Sequence, residues 1–345
     1  MKNALLITGG CGFIGSNFIH HMRGAHPQLE LINLDMLSYS GNPENLKTLE
    51  DDQHYRFVQG DIADGHLVRS LLEQNHVMSV VHFAAESHVD RSIIEAGAFV
   101  QTNVVGTHVL LESARQHWID TLSRDASFRF VHISTDEIYG TLGGDGSFSE
   151  ESPFRPNSPY AATKAAADLM VRAYFETYQL PTLIARPSNN YGPYQFPEKF
   201  IPLMITNLMQ DTPLPIYGKG VNVRDWIFVE DVCRAVDLIM HQGVPGAAYN
   251  VGGETEKRNI DVAQELLALF SKNESYLSFV EDRPGHDLRY ALNNKKIKDE
   301  LGWKPTVPFL EGIEQTIAWY KANEWWWKPL KERLTAESKG FWTKS

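Results

Sequence analysis

The chain has 345 residues, of which 43% are hydrophobic and 22% charged, a composition typical of a globular protein with about one to three domains. Its net charge of −11 argues against a nucleic-acid partner, and no apolar run reaches the roughly 18 residues of a membrane span, so we expect no membrane partner either. The two cysteines exclude a disulfide framework or a zinc cluster and lead us to predict no metal site, while the early glycines argue against a signal peptide and favour the cytoplasm.

Short apolar runs alternate with helix-length segments through the first half of the chain. The runs are NALLIT, LELINLD, YRFVQGD, MSVVHFAA, FRFVHIST and LPTLIARPS. Strands this apolar, separated by helices, predict a parallel sheet that is covered on both faces. Beyond residue 188 the pattern loosens into segments rich in proline, glycine and aromatic residues. We therefore predict a second, smaller lobe that folds onto the first.

The first strand leads into the glycine-rich stretch TGGCGFIG, which opens a helix and contains Gly9, Gly12 and Gly15. Glycines in this context let the backbone approach a pyrophosphate, and the helix N-terminus supplies unpaired N–H groups. Asp35 ends the next strand, 20 residues after Gly15. Its carboxylate would accept a hydrogen bond from a ribose hydroxyl and repel a 2′-phosphate. The pattern predicts a dinucleotide site that prefers NAD to NADP.

A second motif pairs a tyrosine with a lysine in SPYAATKAAADLM. Tyr160 and Lys164 are four residues apart and therefore share one face of a helix. A nearby ammonium favours the phenolate and lowers the pKa of a tyrosine, which predicts that Tyr160 is a base. Together with the glycine-rich motif, this pair resembles the extended short-chain dehydrogenase/reductase family over nearly the whole chain.

Two adjacent acids in STDEIYG, residues 134–140, narrow the resemblance. This stretch is similar to the nucleotide-sugar 4,6-dehydratases, particularly those that act on dTDP-glucose. Further matching stretches are AAESHVDRSI, SNNYGPYQFPEKFIP, PLPIYGKG, RDWIFVEDV and EDRPGHDLRYALN. Two departures are Pro187, which stands where a cysteine is common, and YAATK in place of the usual YSASK.

The resemblance implies a reaction in which the catalytic residues are Thr135, Asp136, Glu137, Tyr160 and Lys164. Oxidation of a hexose at C4 makes the C5 proton acidic because that proton is then α to a carbonyl. Tyr160 would take the C4 hydroxyl proton while hydride passes to NAD⁺, and Glu137 would then remove the C5 proton. Asp136, held protonated, would donate to the departing C6 hydroxyl before hydride returns to C6. Adjacent carboxylates suit this division because like charges push their pKa values apart.

The resemblance also implies the binding residues. Cofactor binding is predicted for Gly9, Gly12, Phe13, Ile14, Gly15, Asp35, Asp61, Ile62, Ala84, Ala85, Ser87, Thr102, Tyr160, Lys164 and Asn189. Binding of the nucleotide-sugar substrate is predicted for Ser87, Thr135, Asn190, Lys199, Pro215, Ile216, Tyr217, Arg224, Asn259, Arg283 and His286. Arginine forks suit the phosphate oxygens of such a substrate, and a lysine serves as a point charge.

The predicted fold is α/β, with a Rossmann-type doubly wound parallel sheet and a smaller, mixed α/β substrate-binding lobe. Residues 1–188 plus about 227–252 would form the NAD-binding domain, and about 189–226 plus 253–345 the nucleotide-sugar lobe. The resemblance implies a homodimer that pairs through the helices near residues 100–117 and 160–178. We expect the tryptophan-rich segment EWWWKPLKERL, residues 324–334, to pack or to form an interface.

The sequence leaves two alternative functions open. One is a dehydratase or an epimerase that acts on a UDP-linked sugar, because neither the nucleotide base nor the sugar C2 substituent can be read from these residues. The adjacent acids argue against an epimerase. Another is a non-catalytic NAD-binding regulator, against which the complete set of acid and base residues argues.

Overall fold

A seven-stranded parallel sheet dominates the computed structural model, which describes residues 4–338. The strands are β1 Ala4–Thr8, β2 Glu30–Asp35, β3 Tyr55–Gln59, β4 Val77–His82, β5 Arg129–Ile133, β6 Thr182–Pro187, β7 Asn189–Tyr191, β8 Leu214–Tyr217, β9 Val223–Phe228, β10 Ala248–Val251, β11 Glu256–Arg258 and β12 Leu277–Val280. The helices are α1 Phe13–Ala25, α2 Gly65–Gln74, α3 Val89–Ile94, α4 Ala96–Phe99, α5 Thr107–Asp120, α6 Pro159–Tyr178, α7 Phe200–Met209, α8 Val229–Gln242, α9 Asn259–Leu269, α10 Lys295–Leu301, α11 Phe309–Ala322 and α12 Glu324–Ser338. Short 3₁₀ turns cover Pro43–Leu49, Asp136–Tyr139 and Glu274–Tyr276.

The large sheet has the order β10-β6-β5-β4-β1-β2-β3, and all its neighbouring strands are parallel. The six strands predicted from apolar runs are all present, and β10 is an additional strand at one edge. The order of strands reverses between β1 and β4, which opens a crevice at their carboxyl ends. The predicted α/β fold class is therefore confirmed.

Helices cover both faces of the large sheet. One core packs α1 and α8 against the strands, with Phe18 and Val236 fully buried. The other packs α2, α5 and α6, with Leu110 and Val171 fully buried. Coverage is weakest at β3, where Phe57 is 37% exposed, because this strand lies at the sheet edge. No helix in the described part of the chain combines the length and the apolar character needed to cross a membrane.

The helix predicted over residues 100–117 is composite. It begins with a π-helical stretch, Val100–Gly106, and continues as α5. The wider turn places Asn103 so that its side chain donates to the backbone oxygen of Glu86 (3.0 Å) and to the hydroxyl of Thr163 (2.9 Å). Such π-helical turns occur frequently at functional sites. Here the turn fixes the loop after β4 against α6.

A smaller lobe contains the three-stranded sheet β11-β9-β7, the pair β12-β8, and helices α7, α9, α11 and α12. The tryptophan-rich segment packs as predicted: Trp326 and Trp327 are 3% and 0% exposed, although Trp325 is 55% exposed. The indole of Trp326 donates to Asn45 Oδ1 (2.8 Å), and Asn45 Nδ2 donates to the carbonyl oxygen of Cys11 (2.9 Å). The first turn of α12 is thus linked, through Asn45, to the glycine-rich turn.

The predicted division into two domains stays a prediction. Strands from residues 4–187 and 248–251 form the large sheet, whereas β9 crosses the predicted boundary at residue 226. The predicted bounds at residues 1–3 and 339–345 lie outside the described residues.

Asp231, in the first turn of α8, fastens the segment before α11 to the large-sheet part of the chain. Its fully buried carboxylate accepts hydrogen bonds from the backbone N–H groups of Thr306 and Val307, both at 3.0 Å. The Thr306 hydroxyl donates to the other carboxylate oxygen (3.0 Å). The indole of Trp303 donates to the Asp231 carbonyl oxygen (3.2 Å).

We predict that Asp231→Ala lowers the free energy of unfolding by roughly 2–5 kcal/mol, because two backbone N–H groups lose their buried acceptor. Urea unfolding followed by tryptophan fluorescence measures this loss. Glu230→Ala is the matched control, since Glu230 is an exposed acid in the same helical turn and its removal should change stability by no more than about 0.5 kcal/mol. Equal stability of the two variants would contradict the anchoring role.

Candidate active site

A cavity opens at the carboxyl ends of β1–β4, and most of the predicted cofactor residues line it. Those that do are Gly9, Gly12, Phe13, Ile14, Gly15, Asp35, Asp61, Ile62, Ala84, Ala85, Ser87, Thr102, Tyr160 and Lys164. Asn189 is not among the lining residues, because it begins β7 beyond the end of β6. Sequence reasoning missed further lining residues on the loops after β2 and β4, including Met36, Ser38, Tyr39 and Glu86. Only their position directly after two apolar runs could have indicated them.

The glycine-rich turn has the shape that a pyrophosphate cradle needs. Gly9 has a φ of +71°, and a Cβ there would lie 2.5 Å from the backbone nitrogen of Ala84. A Cβ on Gly15 would lie 2.3 Å from the carbonyl oxygen of Gly9. Gly12 is different, because only the Gly9 oxygen, at 3.3 Å, would meet its Cβ. Gly12 therefore leaves open space in the cavity, and the residues fit a bound dinucleotide.

Asp35 holds the two loops that flank this cavity. Its carboxylate accepts from the backbone N–H of Cys11 and of Leu37, both at 2.8 Å. Burial raises the pKa of Asp35, although both N–H groups oppose the rise. The side chain lines the cavity beside the turn, which is where the predicted ribose contact requires it.

Tyr160 and Lys164 lie on the first turns of α6, which begins with Pro159 and is capped by Ser158, whose hydroxyl accepts from the Ala161 N–H (3.1 Å). Lys164 Nζ donates to the carbonyl oxygen of Ile133 at 2.6 Å. Burial lowers the pKa of Lys164 to about 8. The ammonium is thereby held at the end of β5.

The pKa of Tyr160 differs from the sequence-based expectation. Burial raises it, the negative charge of Glu137 raises it further, and a hydrogen bond with Thr135 opposes the rise. The prediction that the ammonium of Lys164 lowers this pKa is therefore wrong for the protein without a bound ligand. The cause is the removal of the phenol from water, which disfavours the phenolate.

The acid pair occupies the 3₁₀ turn Asp136–Tyr139 directly after β5. Thr135 caps this turn, with its hydroxyl oxygen accepting from the Glu137 N–H at 3.3 Å. The same hydroxyl donates to Asp136 Oδ1 at 3.3 Å, and no described residue bonds Asp136 Oδ2. Asp136 is only 2% exposed, whereas Glu137 is partly buried.

The surroundings separate the two acids chemically. Burial raises the pKa of Asp136 well above its ordinary value, and the charges of Glu137 and Asp225 raise it further. Burial also raises the pKa of Glu137, but the positive charges of Arg283, Arg224 and Lys199 oppose that rise. This difference suits Asp136 as the proton donor of the pair and Glu137 as the proton acceptor.

Asp225 is a neighbour of this pair that sequence reasoning missed, although the stretch RDWIFVEDV contains it. Its buried carboxylate accepts from the N–H groups of Gly253 (3.1 Å) and Thr255 (2.9 Å). Burial raises the pKa of Asp225 to about 7.

Of the predicted substrate residues, Ser87 and Lys199 line the cavity, and Lys199 Nζ donates to the Ser87 carbonyl oxygen at 3.1 Å. Arg283 and Tyr217 meet at Asp90, with distances of 2.8 Å from Arg283 Nη1 and 3.2 Å from the Tyr217 hydroxyl. These contacts join the smaller lobe to α3 at the edge of the cavity.

The other predicted substrate residues, apart from Thr135 after β5, lie in the smaller lobe. Arg224 is buried, donates to the carbonyl oxygens of Val223 (2.7 Å) and Asp287 (3.0 Å), and stacks over the Tyr290 ring at 4.4 Å. The structure thus gives Arg224 main-chain partners that the sequence did not reveal. The remaining residues are Asn190 after β6, Pro215 and Ile216 on β8, Asn259 at the start of α9, and His286, whose ring lies against that of Tyr217.

A buried polar chain lies behind Lys164 and was not predicted. His132 Nε2 is 3.5 Å from Lys164 Nζ and 3.6 Å from Asp168 Oδ1. Arg186 donates to Asp168 (2.8 Å) and to the Tyr139 hydroxyl (2.7 Å). Burial, together with the charge of Lys164, lowers the pKa of His132 well below its ordinary value, so its imidazole is neutral. The chain ties α6 to the acid-bearing turn.

Comparisons with known proteins agree with this geometry. Residues 6–316 match the family model described as GDP-mannose 4,6 dehydratase. The dTDP-glucose 4,6-dehydratase of Xanthomonas campestris pv. campestris (strain B100) is 51% identical over 332 residues, which are 93% of this chain and 94% of the relative. The crystal structure of the dTDP-glucose 4,6-dehydratase DesIV of Streptomyces venezuelae, with NAD bound, is 47% identical with a TM-score of 0.90 and covers 95% of this chain and 99% of that one. The crystal structure of a UDP-glucose 4-epimerase of Thermotoga maritima is 26% identical with a TM-score of 0.84. This match covers 93% of this chain and 99% of the epimerase chain.

We predict that Asp35→Asn weakens NAD binding about tenfold and reduces the discrimination against NADP, because the anionic acceptor facing the ribose is removed. Isothermal titration with each dinucleotide measures both effects. Asp61→Asn, at the end of β3 on the same cavity, is the matched control and should leave the NAD-to-NADP ratio unchanged. An unchanged ratio in Asp35→Asn would remove Asp35 from this role.

Proposed function

Because this chain belongs to the dTDP-glucose 4,6-dehydratase family of the short-chain dehydrogenases/reductases, we propose that it converts dTDP-glucose into dTDP-4-keto-6-deoxyglucose and water. One observation carries the proposal beyond the fold. A buried Asp136 stands next to Glu137 beside the phenol of Tyr160, and hydride transfer alone needs neither acid. The family relationship and the acid pair support the same reaction.

NAD is the cofactor of this reaction, and the residues that would hold it are those of the glycine-rich turn together with Asp35, Asp61 and Ile62. When bound, NAD⁺ supplies a positive charge and the site that accepts the hydride from C4 and returns it to C6. The carboxylate of Asp35 faces the ribose and favours NAD over NADP.

Oxidation at C4 depends on Tyr160, Thr135 and Lys164. The phenolate of Tyr160 accepts the proton of the C4 hydroxyl, and the Thr135 hydroxyl orients the phenol through the hydrogen bond that they share. Lys164, with a pKa of about 8, remains mostly protonated at neutral pH. In the unliganded protein burial outweighs this charge, so we propose that the phenolate forms when the positive charge of bound NAD⁺ adds to that of Lys164.

Elimination of water depends on the two acids. Once C4 is a ketone, the carboxylate of Glu137 takes the C5 proton, and the charges of Arg283, Arg224 and Lys199 help to keep it ionised. Asp136 stays protonated because it is buried beside a like charge, and it donates that proton to the departing C6 hydroxyl.

The smaller lobe would hold the nucleotide diphosphate. Arg283 and Lys199 present positive charge near Glu137, and Tyr217 lies against His286 at the same edge. We propose that residues 189–226 and 253–345 act as the substrate lobe, and residues 1–188 and 227–252 as the cofactor domain. Asn189 and the remaining lobe residues keep their predicted binding roles in this proposal.

Incubation with dTDP-glucose, UDP-glucose and UDP-N-acetylglucosamine in separate reactions tests the proposal, with mass spectrometry to detect the loss of water. We expect dehydration of dTDP-glucose in preference to both UDP-sugars. Dehydration of a UDP-sugar but not of dTDP-glucose would contradict the proposed substrate. Epimerisation without water loss would overturn the dehydratase assignment. Binding of NAD with no turnover of any sugar would favour a regulator.

We infer further that the protein is a homodimer and acts in the cytoplasm. Exposed apolar side chains on the helices of the predicted interface support the dimer, including Val100 (47% exposed), Val105 (38%) and Leu169 (55%). A mass of one chain, 39.1 kDa, by light scattering would contradict it. Both cysteines, Cys11 and Cys233, are unpaired and buried, as is usual in a reducing compartment.

We predict that Glu137→Gln oxidises dTDP-glucose at C4 but slows the loss of water by a factor of roughly 10² to 10⁴, because the C5 proton loses its base. Rapid quench followed by reduction with borodeuteride detects the 4-keto sugar as deuterium at C4 in sugar that retains its C6 oxygen. Glu151→Gln, at an exposed acid on the next loop, is the control and should dehydrate at the normal rate. Water loss near the normal rate in Glu137→Gln would exclude Glu137 as the base.

A further inference from the structure

Three histidines and one aspartate meet on the surface far from the candidate active site. His21 lies on α1, His26 directly follows α1, and Asp237 and His241 lie one turn apart on α8. Helix α1 has 13 residues, so its C-terminal end is about 20 Å from the glycine-rich turn where it begins. We name these four residues the His₃Asp cluster.

All three imidazoles of the His₃Asp cluster point a ring nitrogen at one carboxylate. His21 Nε2 is 2.9 Å from Asp237 Oδ2, and His26 Nε2 is 3.0 Å from the same oxygen. His241 Nδ1 is 2.8 Å from Asp237 Oδ1. One ligand atom each from His26, Asp237 and His241 lies within 4.8 Å of the others.

The cluster is accessible without being fully exposed. The side chains of His21, His26, Asp237 and His241 are 19%, 35%, 16% and 48% exposed, and they line a surface cavity of about 510 Å³. Arg234 lines the same cavity, but its guanidinium is engaged by Asp231 and donates to the Thr306 hydroxyl at 2.6 Å. The charge of this arginine is thus paired with a carboxylate outside the cluster.

We propose that the His₃Asp cluster binds a divalent transition-metal ion of the Zn²⁺ type. Three imidazole nitrogens and one carboxylate oxygen form a donor set that suits Zn²⁺, whereas Mg²⁺ prefers oxygen ligands alone. Ligand atoms of a tetrahedral zinc site lie about 3.4 Å apart, given bonds of about 2.0–2.1 Å. The ligand atoms of His26, Asp237 and His241 all lie within 4.8 Å of one another, and these three residues form the core of the proposed site. The His21 nitrogen, 2.9 Å from Asp237 Oδ2, is the fourth ligand and would move furthest to reach the ion.

Such a metal would cross-link α8 to α1, the helix that begins at the glycine-rich turn. Helices α1 and α8 pack in the same core on one face of the large sheet. A shared ion would join the end of α1 to the C-terminal half of α8 and stabilise the folded chain by mass action. The separation of its ligands in sequence, 21 and 26 against 237 and 241, hid the cluster from sequence reasoning, which predicted no metal site.

Equilibrium dialysis of the metal-stripped full-length chain against Zn²⁺, with metal content measured by mass spectrometry, tests the proposal. We expect one Zn²⁺ per chain and no retained Mg²⁺. His241→Ala and His26→Ala should each weaken Zn²⁺ binding by more than about tenfold, since each removes a direct ligand. His66→Ala, at an exposed histidine at the start of α2, is the matched control and should bind as the unmodified chain does.

Thermal unfolding provides a second readout. Zn²⁺ should raise the Tm of the unmodified chain and of His66→Ala, and should not raise that of His241→Ala. Because His241 is about half exposed, its replacement leaves the fold intact even where His26→Ala does not. Absence of Zn²⁺ binding, or binding that is equal in His241→Ala and His66→Ala, would overturn the proposal and leave three hydrogen bonds to Asp237 as the whole role of the cluster.

Discussion

Removal of Asp136 from water is the constraint on which the rest of the candidate site depends. Burial disfavours the charged form of Asp136, and the negative charge of Glu137 beside it raises the pKa of Asp136 further. Asp136, whose pKa is raised well above its ordinary value, is therefore suited to donate a proton, whereas Glu137 has three basic side chains that oppose the rise of its own pKa and is suited to accept one. An exposed pair at the same position would ionise together, and the donor required for loss of the C6 hydroxyl would disappear.

Parallel topology then brings the remaining chemistry to these acids. The strands of the large sheet end at one edge, so that the glycine-rich turn after β1, Asp35 after β2 and Ser134 after β5 line a common cavity, and the acid pair lies two residues beyond Ser134. Helix α6 adds the phenol and the ammonium from one face. On the side away from the cavity, His132 lies between Lys164 and Asp168 and holds the lysine side chain in place. Because the imidazole of His132 is neutral, it does not repel the ammonium of Lys164.

Local patterns were sufficient to predict most of this arrangement. Apolar runs of six to nine residues predicted six strands of the large sheet, and the glycine spacing placed the cofactor turn, because each depends only on neighbours in sequence. The strand β10, the π-helical turn and the main-chain partners of Arg224 depend on contacts between distant segments. The pKa of Tyr160 shows the same limit: its spacing to Lys164 was visible, but the burial that outweighs the ammonium was not.

The transfer of hydrogen from C4 to C6 of the sugar tests the central claim most directly. We would incubate the protein with dTDP-glucose deuterated at C4 in ordinary water and locate the label in the product by nuclear magnetic resonance. The account requires deuterium at C6 and solvent hydrogen at C5 of a 6-deoxy-4-keto sugar, because one cofactor both accepts and returns the hydride within a turnover. Deuterium released to solution in free reduced cofactor, or returned to C4 with inverted configuration, would contradict it.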